Sequence, residues 1–90
     1  MLVLPSELTH AQAPACSLML AQALRSEPGT QAVADASALL KFDSSALAVL
    51  LECRREALAQ GKTFAVSNLH PRLRALATLY GVGELLPGAA

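Results

Sequence analysis

The segment FDSSALAVLLECRREALAQGKTFAVSNL, residues 42–69, carries the clearest secondary-structure signals of the chain. A polar corner is followed by a long apolar segment and, after Gly61, by a short run that is aromatic and β-branched at its centre. Apolar residues at helical spacing predict an amphipathic helix over residues 44–60. The run over residues 62–69 predicts a strand. The apolar stripe of the predicted helix consists of Ala46, Leu50, Cys53 and Ala57, widened by Leu47, Leu51 and Leu58.

The same alternation of helices and strands continues on both sides of this stretch. The predicted order is an edge strand over residues 2–4, a loop over 6–13, a helix over 14–25, a strand over 30–37, the helix and strand above, and a last helix from Pro71 to Tyr80. On the last helix, Leu73, Leu76, Ala77 and Tyr80 share one face. Such alternation is typical of βαβ units and favours an α/β fold with a largely parallel sheet.

Length and composition limit the possible classes of protein. Ninety residues suit a single domain, here residues 1–90, and 53% hydrophobic residues with 16% charged ones argue against disorder. Seven basic and seven acidic residues give no net charge, and only three residues are aromatic, so no nucleic-acid partner is expected. No apolar run is long enough to cross a bilayer, and the first ten residues do not look like a secretory signal. We therefore expect a soluble cytoplasmic protein with two reduced, buried cysteines, Cys16 and Cys53.

Residue types that carry chemistry are few. His10 and His70 stand far apart and have no metal-ligand spacing to a cysteine or carboxylate, so no metal site is predicted. Ser44, His70 and Asp35 permit a Ser-His-Asp arrangement by composition only, because no GxSxG turn supports it. The glycines are isolated or terminal and form no phosphate-binding loop. We expect neither an enzyme nor a bound cofactor.

The polar corner Asp43-Ser44-Ser45 has two interpretations. Asp and Ser are favoured helix N-caps, so ordinary capping explains residues of this kind at the start of a helix. One cap is enough, however, and three candidates stand in a row. A hydroxyl at the positive end of a helix also suits a docking contact or a phosphorylation site. The residues alone leave both interpretations open.

The chain from Ala34 to about Leu86 resembles the STAS domain family (sulfate transporter and anti-sigma factor antagonist). Three motifs carry the resemblance: a strand that ends in Asp35-Ala36-Ser37, the segment Asp43-Ser44-Ser45-Ala46-Leu47 at the start of a long helix, and a strand that ends in Ser67-Asn68. The endings Leu79-Tyr80-Gly81 and Leu85-Leu86-Pro87 look most like the MlaB-like branch, the STAS subunits of bacterial lipid-asymmetry ABC transporters.

The resemblance implies a fold, a type of site and two alternative functions. The fold is a STAS-like α/β sandwich with a mixed sheet of about four strands, helices packed on it and no catalytic activity. In the transporter subunits the domain binds the cytoplasmic ATPase. In this chain the contact would use Asp43, Ser44, Ser45, Ala46 and Leu47, and the partner would hold the protein at the inner membrane. In the anti-sigma factor antagonists, the serine at the position of Ser44 is phosphorylated by the kinase that it binds.

Two departures from the family pattern affect these expectations. Ala46 stands where the family usually has glycine, which favours a firmer helix start and weakens the phosphorylation hypothesis. The first ten residues look like the family's second strand, so the usual first strand is expected to be missing. A sheet edge would then be less covered, and we expect a partner or a homodimer mate to protect it.

Overall fold

A computed structural model describes residues 2–88 of the chain. These residues form five short strands, three α-helices and a final 3₁₀ turn. In chain order they are β1 (Leu2–Val3), β2 (Glu7–Leu8), α1 (Ala13–Ser26), β3 (Gln31–Asp35), β4 (Lys41–Phe42), α2 (Ser45–Ala59), β5 (Thr63–Ser67), α3 (Pro71–Leu79) and the turn Gly83–Leu85. The α/β class and the three helices predicted from the sequence are confirmed.

The strands pair in parallel and form two small sheets. The main sheet has the order β1-β3-β5, and in its centre Gln31 lies opposite Thr63 and Asp35 opposite Ser67. The second sheet joins β2 to β4. This arrangement differs from the single mixed sheet implied by the resemblance, because α1 and α2 each carry the chain back between neighbouring strands of the main sheet, and such crossovers make strands parallel.

Two of the strands were not predicted. β2 lies in the segment for which the sequence predicts a loop, and β4 lies in the lead into α2. Each is two residues long, which is too short to show the alternation that identifies a strand. Their pairing fastens the segment before α1 to the segment before α2.

Leucine and alanine build the core. The predicted stripe of α2, which comprises Ala46, Leu50, Cys53 and Ala57, is buried throughout. Two predicted core positions are wrong: Leu58 is 47% exposed and Tyr80 is 58% exposed. Leu58 lies at the margin of the stripe, and Tyr80 follows the last residue of α3, just before Gly81 turns the chain with φ +74°.

The carboxyl-terminal tail covers one edge of the main sheet. The guanidinium of Arg74 donates to the carbonyl oxygens of Leu86 (2.6 Å) and Gly83 (3.4 Å). The backbone N–H of Val66 donates to the carbonyl of Pro87 at 2.9 Å, which pairs the tail with the outer side of β5. At the opposite edge, β1 pairs on one side only within residues 2–88.

No helix within residues 2–88 combines the length and the apolar character that crossing a membrane requires.

Candidate partner-docking site

The polar residues singled out in the sequence lie at one end of the main sheet, where β3 and β5 have their carboxyl ends. Because β3 and β5 are parallel and in register, Asp35 and Ser67 end their strands side by side. α3 begins four residues after β5, and α2 begins directly after the Phe42-Asp43-Ser44 segment. Phe42 contacts His70, the residue before α3, so the amino termini of α2 and α3 lie at one site.

Asp43 is the residue that caps α2. Its Oδ1 accepts the backbone N–H of Ser45 at 2.8 Å, and its Oδ2 accepts the backbone N–H of His10 at 3.1 Å. The carboxylate therefore satisfies a donor of the first helical turn and also holds the loop before α1. These hydrogen bonds, that of Ser45 first and that of His10 second, lower the pKa of Asp43.

Ser44 lies at the N-cap position but does not act as a cap through its side chain. Its backbone is already helical, with φ −63° and ψ −17°, and its hydroxyl makes no capping hydrogen bond. The residue is exposed. Capping is therefore the role of Asp43, and the Ser44 hydroxyl remains available at the surface for the docking or phosphorylation role.

The five residues predicted to bind a partner differ in accessibility. Asp43 and Ser44 are exposed and Ser45 is half-buried. Ala46 and Leu47 are buried in the core, so their side chains fix the position of the helix start and lie away from the surface. The accessible part of the predicted site is therefore Asp43-Ser44-Ser45.

A second carboxylate is held at the end of β3. The Oδ1 of Asp35 accepts the backbone N–H of Ser37 at 3.0 Å and the side-chain Nδ2 of Asn68 at 3.4 Å. Asn68 adopts a left-handed backbone conformation, φ +57°, which asparagine tolerates better than most residues. The hydrogen bonds, led by that of the Ser37 backbone, lower the pKa of Asp35.

The sequence did not reveal an aromatic and cationic contact beside the cap. The rings of Phe42 and His70 meet edge to face with 5.3 Å between their centroids, and the guanidinium carbon of Arg72 lies 5.3 Å from the centroid of Phe42. We call this set the Phe42–His70–Arg72 cluster. A phenylalanine immediately before the capping aspartate, together with the His-Pro-Arg start of α3, is its only signal in the sequence.

The Ser-His-Asp arrangement permitted by composition is not assembled in the part of the chain that the structure describes. The Nδ1 of His70 accepts the backbone N–H of Arg72 at 3.0 Å and so caps α3. Asp35 is engaged by Ser37 and Asn68, and no hydrogen bond within residues 2–88 joins His70 to Ser44 or to Asp35. The three groups therefore do not form a relay that would activate a hydroxyl.

Cysteines and metal-binding residue types form no further site. Within residues 2–88, no group of three or more His, Cys, Asp or Glu side chains is arranged to hold a metal ion. Cys16 and Cys53 are unpaired and buried, as predicted. Burial raises the pKa of both thiols, that of Cys53 to about 11, so both are protonated near neutral pH.

Comparison with known protein families identifies the family of this chain. The family model described as "Mlab, STAS domain" matches residues 1–87. The chain therefore belongs to the STAS domain family, in its MlaB-like branch. No individually curated protein shows a significant match to the chain.

The division of roles between Asp43 and Ser44 predicts unequal effects on stability. Asp43→Ala removes the acceptor of two backbone N–H groups and should lower the melting temperature by about 5 °C. Ser44→Ala removes a hydroxyl that makes no capping bond and should change it by less than about 2 °C. Thermal unfolding followed by circular dichroism measures both variants. Equal losses would contradict the assignment of the cap to Asp43.

The lowered pKa of Asp43 predicts a loss of stability in acid. A carboxyl whose pKa in the folded chain lies below its unfolded value of 3.8 stabilises the fold above that value, and the stabilisation is lost as the pH falls through the folded pKa. We expect the advantage of the unmodified chain over Asp43→Asn to be constant between about pH 7 and pH 5 and to shrink below about pH 4. Urea unfolding at each pH tests this expectation, and an advantage that grows in acid would contradict it.

Proposed function

We propose that this chain is a non-catalytic STAS subunit that binds and supports the cytoplasmic ATPase of a phospholipid-transport (Mla-type) ABC transporter, which maintains outer-membrane lipid asymmetry. The observation that carries the proposal is the match of the MlaB-like family model to residues 1–87. The protein would then lie in the cytoplasm and be held at the inner membrane by its partner. Its role would be assembly and support of the ATPase, with no reaction and no cofactor of its own.

The amino terminus of α2 is the surface that we assign to this docking. Ser44 is exposed and its hydroxyl makes no capping bond, so a partner can contact it without breaking an interaction of the helix. Asp43 fixes the surrounding backbone through Ser45 and His10. A contact residue on a segment that is already ordered loses little conformational entropy when it binds, which favours affinity.

The outer edge of β1 is a further place for contact. β1 pairs on one side only within residues 2–88, and an unpaired strand edge can accept a strand from another chain. A partner subunit or a second copy of this chain would cover the edge, and light scattering on the chain alone would reveal a homodimer by its doubled mass.

Co-purification with the ATPase tests the proposed function. The tagged chain should retain the ATPase subunit of the Mla-type transporter from the same organism. Ser44→Glu adds a charge and bulk at the docking surface and should weaken binding by about tenfold or more. Ser26→Glu is the matched control. Ser26 is an exposed serine at the carboxyl end of α1, near the start of β3, whereas the docking surface lies beside the carboxyl ends of β3 and β5.

Two outcomes would contradict the proposal. The first is failure of the unmodified chain to retain the ATPase when both proteins are folded. The second is equal binding by Ser44→Glu and Ser26→Glu, which would show that the amino terminus of α2 is not the docking surface.

An anti-sigma factor antagonist regulated by phosphorylation of Ser44 is the second candidate. The same exposed hydroxyl, at the positive end of α2 and unused in capping, favours it. A phosphate on Ser44 would add about −1.5 to −2 charges beside Asp43 and change any surface that docks there. The alanine at position 46, where the family usually has glycine, favours the transporter role instead.

Phosphorylation assays separate the two candidates. The chain is incubated with anti-sigma factor kinases and ATP, and its intact mass is measured, with Ser44→Ala as the control. The transporter role predicts an unchanged mass for both chains. Addition of one phosphate to the unmodified chain and none to Ser44→Ala would instead establish the antagonist.

A further inference from the structure

The Phe42–His70–Arg72 cluster places an exposed arginine beside the proposed docking surface. Arg72 lies in the first turn of α3, and its guanidinium carbon is 5.3 Å from the centroid of the Phe42 ring. Phe42 and His70 are half-buried, and their edge-to-face contact holds the ring in place. Phe42 also directly precedes the capping residue Asp43. The arginine is therefore positioned by the segment that positions Ser44.

The charge of Arg72 is not neutralised within the described part of the chain. The ion pairs in residues 2–88 join Lys41 to Glu7 at 3.6 Å and Arg55 to Glu52 at 3.7 Å. Arg74, on the same helix, donates from its guanidinium to two carbonyl oxygens of the tail. The guanidinium of Arg72 lies against the Phe42 ring and makes no ion pair within residues 2–88. Contact with an aromatic face leaves the N–H groups of a guanidinium able to donate to a ligand.

Neither Asp35 nor Asp43 forms an ion pair with Arg72 within residues 2–88. Asp43 accepts the N–H groups of Ser45 and His10, one on each oxygen, and Asp35 accepts those of Ser37 and Asn68. Their charges are thus stabilised by hydrogen bonds within the chain. Arg72 is also at the amino terminus of α3, where the helix dipole makes a positive side chain unfavourable. An acidic partner group there would offset both the unpaired charge of the guanidinium and its interaction with the dipole.

We propose that Arg72 forms a second contact of the docking surface and binds an aspartate or glutamate side chain of the partner ATPase. This inference rests on the proposed function and names the chemistry of the partner's contact. A single arginine held against an aromatic ring suits the planar, singly charged carboxylate, which it can bind through two parallel N–H···O bonds. Phosphate sites instead combine several cations or backbone N–H groups. Ser44 and Arg72 would then contact the partner from the amino termini of α2 and α3.

Affinity measurements on arginine variants test the inference. The ATPase subunit is immobilised, and binding of the unmodified chain is compared with that of Arg72→Lys, Arg72→Gln and Arg72→Glu by biolayer interferometry. We expect Arg72→Gln to bind about tenfold or more weakly, Arg72→Glu more weakly still, and Arg72→Lys in between, because lysine keeps the charge and loses the paired geometry. Glutamate is favourable in the first turn of a helix, so Arg72→Glu should fold.

Arg55→Glu is the matched control, because Arg55 is an exposed arginine on α2 that forms a surface ion pair with Glu52. Its affinity should stay within about twofold of the unmodified chain. Binding of Arg72→Gln that equals that of the unmodified chain would overturn the inference and leave the proposed function standing. Equal losses for Arg55→Glu and Arg72→Glu would also overturn it, because they would indicate general charge attraction. Failure of the unmodified chain to bind would contradict the proposed function as well.

Discussion

The parallel, in-register pairing of β3 with β5 determines where the helix starts and the strand ends of the main sheet lie. Five consecutive residue pairs, from Gln31 opposite Thr63 to Asp35 opposite Ser67, require α2 to carry the chain back along the sheet. The two strands then end at one edge. The amino termini of α2 and α3 come to the same region, as the contact between Phe42 and His70 demonstrates. Every residue of the proposed docking surface follows from that arrangement.

At the carboxyl ends of β3 and β5, neighbouring residues have different roles. The carboxylate of Asp43 holds the backbone through Ser45 and His10, which leaves the hydroxyl of Ser44 at the surface. The hydrogen bond between Asn68 and Asp35 fixes the ends of β3 and β5 in a similar way. Hydrogen bonds to these carboxylates thus hold the backbone in place. Ser44 and Arg72, the residues assigned to the partner, make no capping bond and no ion pair with their side chains within residues 2–88.

The fold was more predictable from the sequence than the site. The helical period and the conformational signals of Pro71, Gly61 and Gly81 identify α2, β5 and α3 to within about two residues, because these features act over short distances in the chain. Capping propensity cannot choose between Asp43 and Ser44, since both residue types are favoured; the choice depends on the loop at His10, which offers a second N–H to a carboxylate. The contact of Phe42 with Arg72 joins residues far apart in sequence and leaves no periodic signal, so the structure was needed to find it.

Hydrogen–deuterium exchange of the chain, alone and mixed with the ATPase, is the most direct test of docking at the starts of α2 and α3, beside the carboxyl ends of β3 and β5. We expect the partner to slow exchange at residues 43–47 and 70–74, at the starts of α2 and α3. Exchange at the carboxyl end of α1 should be unchanged. Protection confined to α1 or to the tail at residues 83–88, with none at the two helix starts, would show that the partner docks elsewhere.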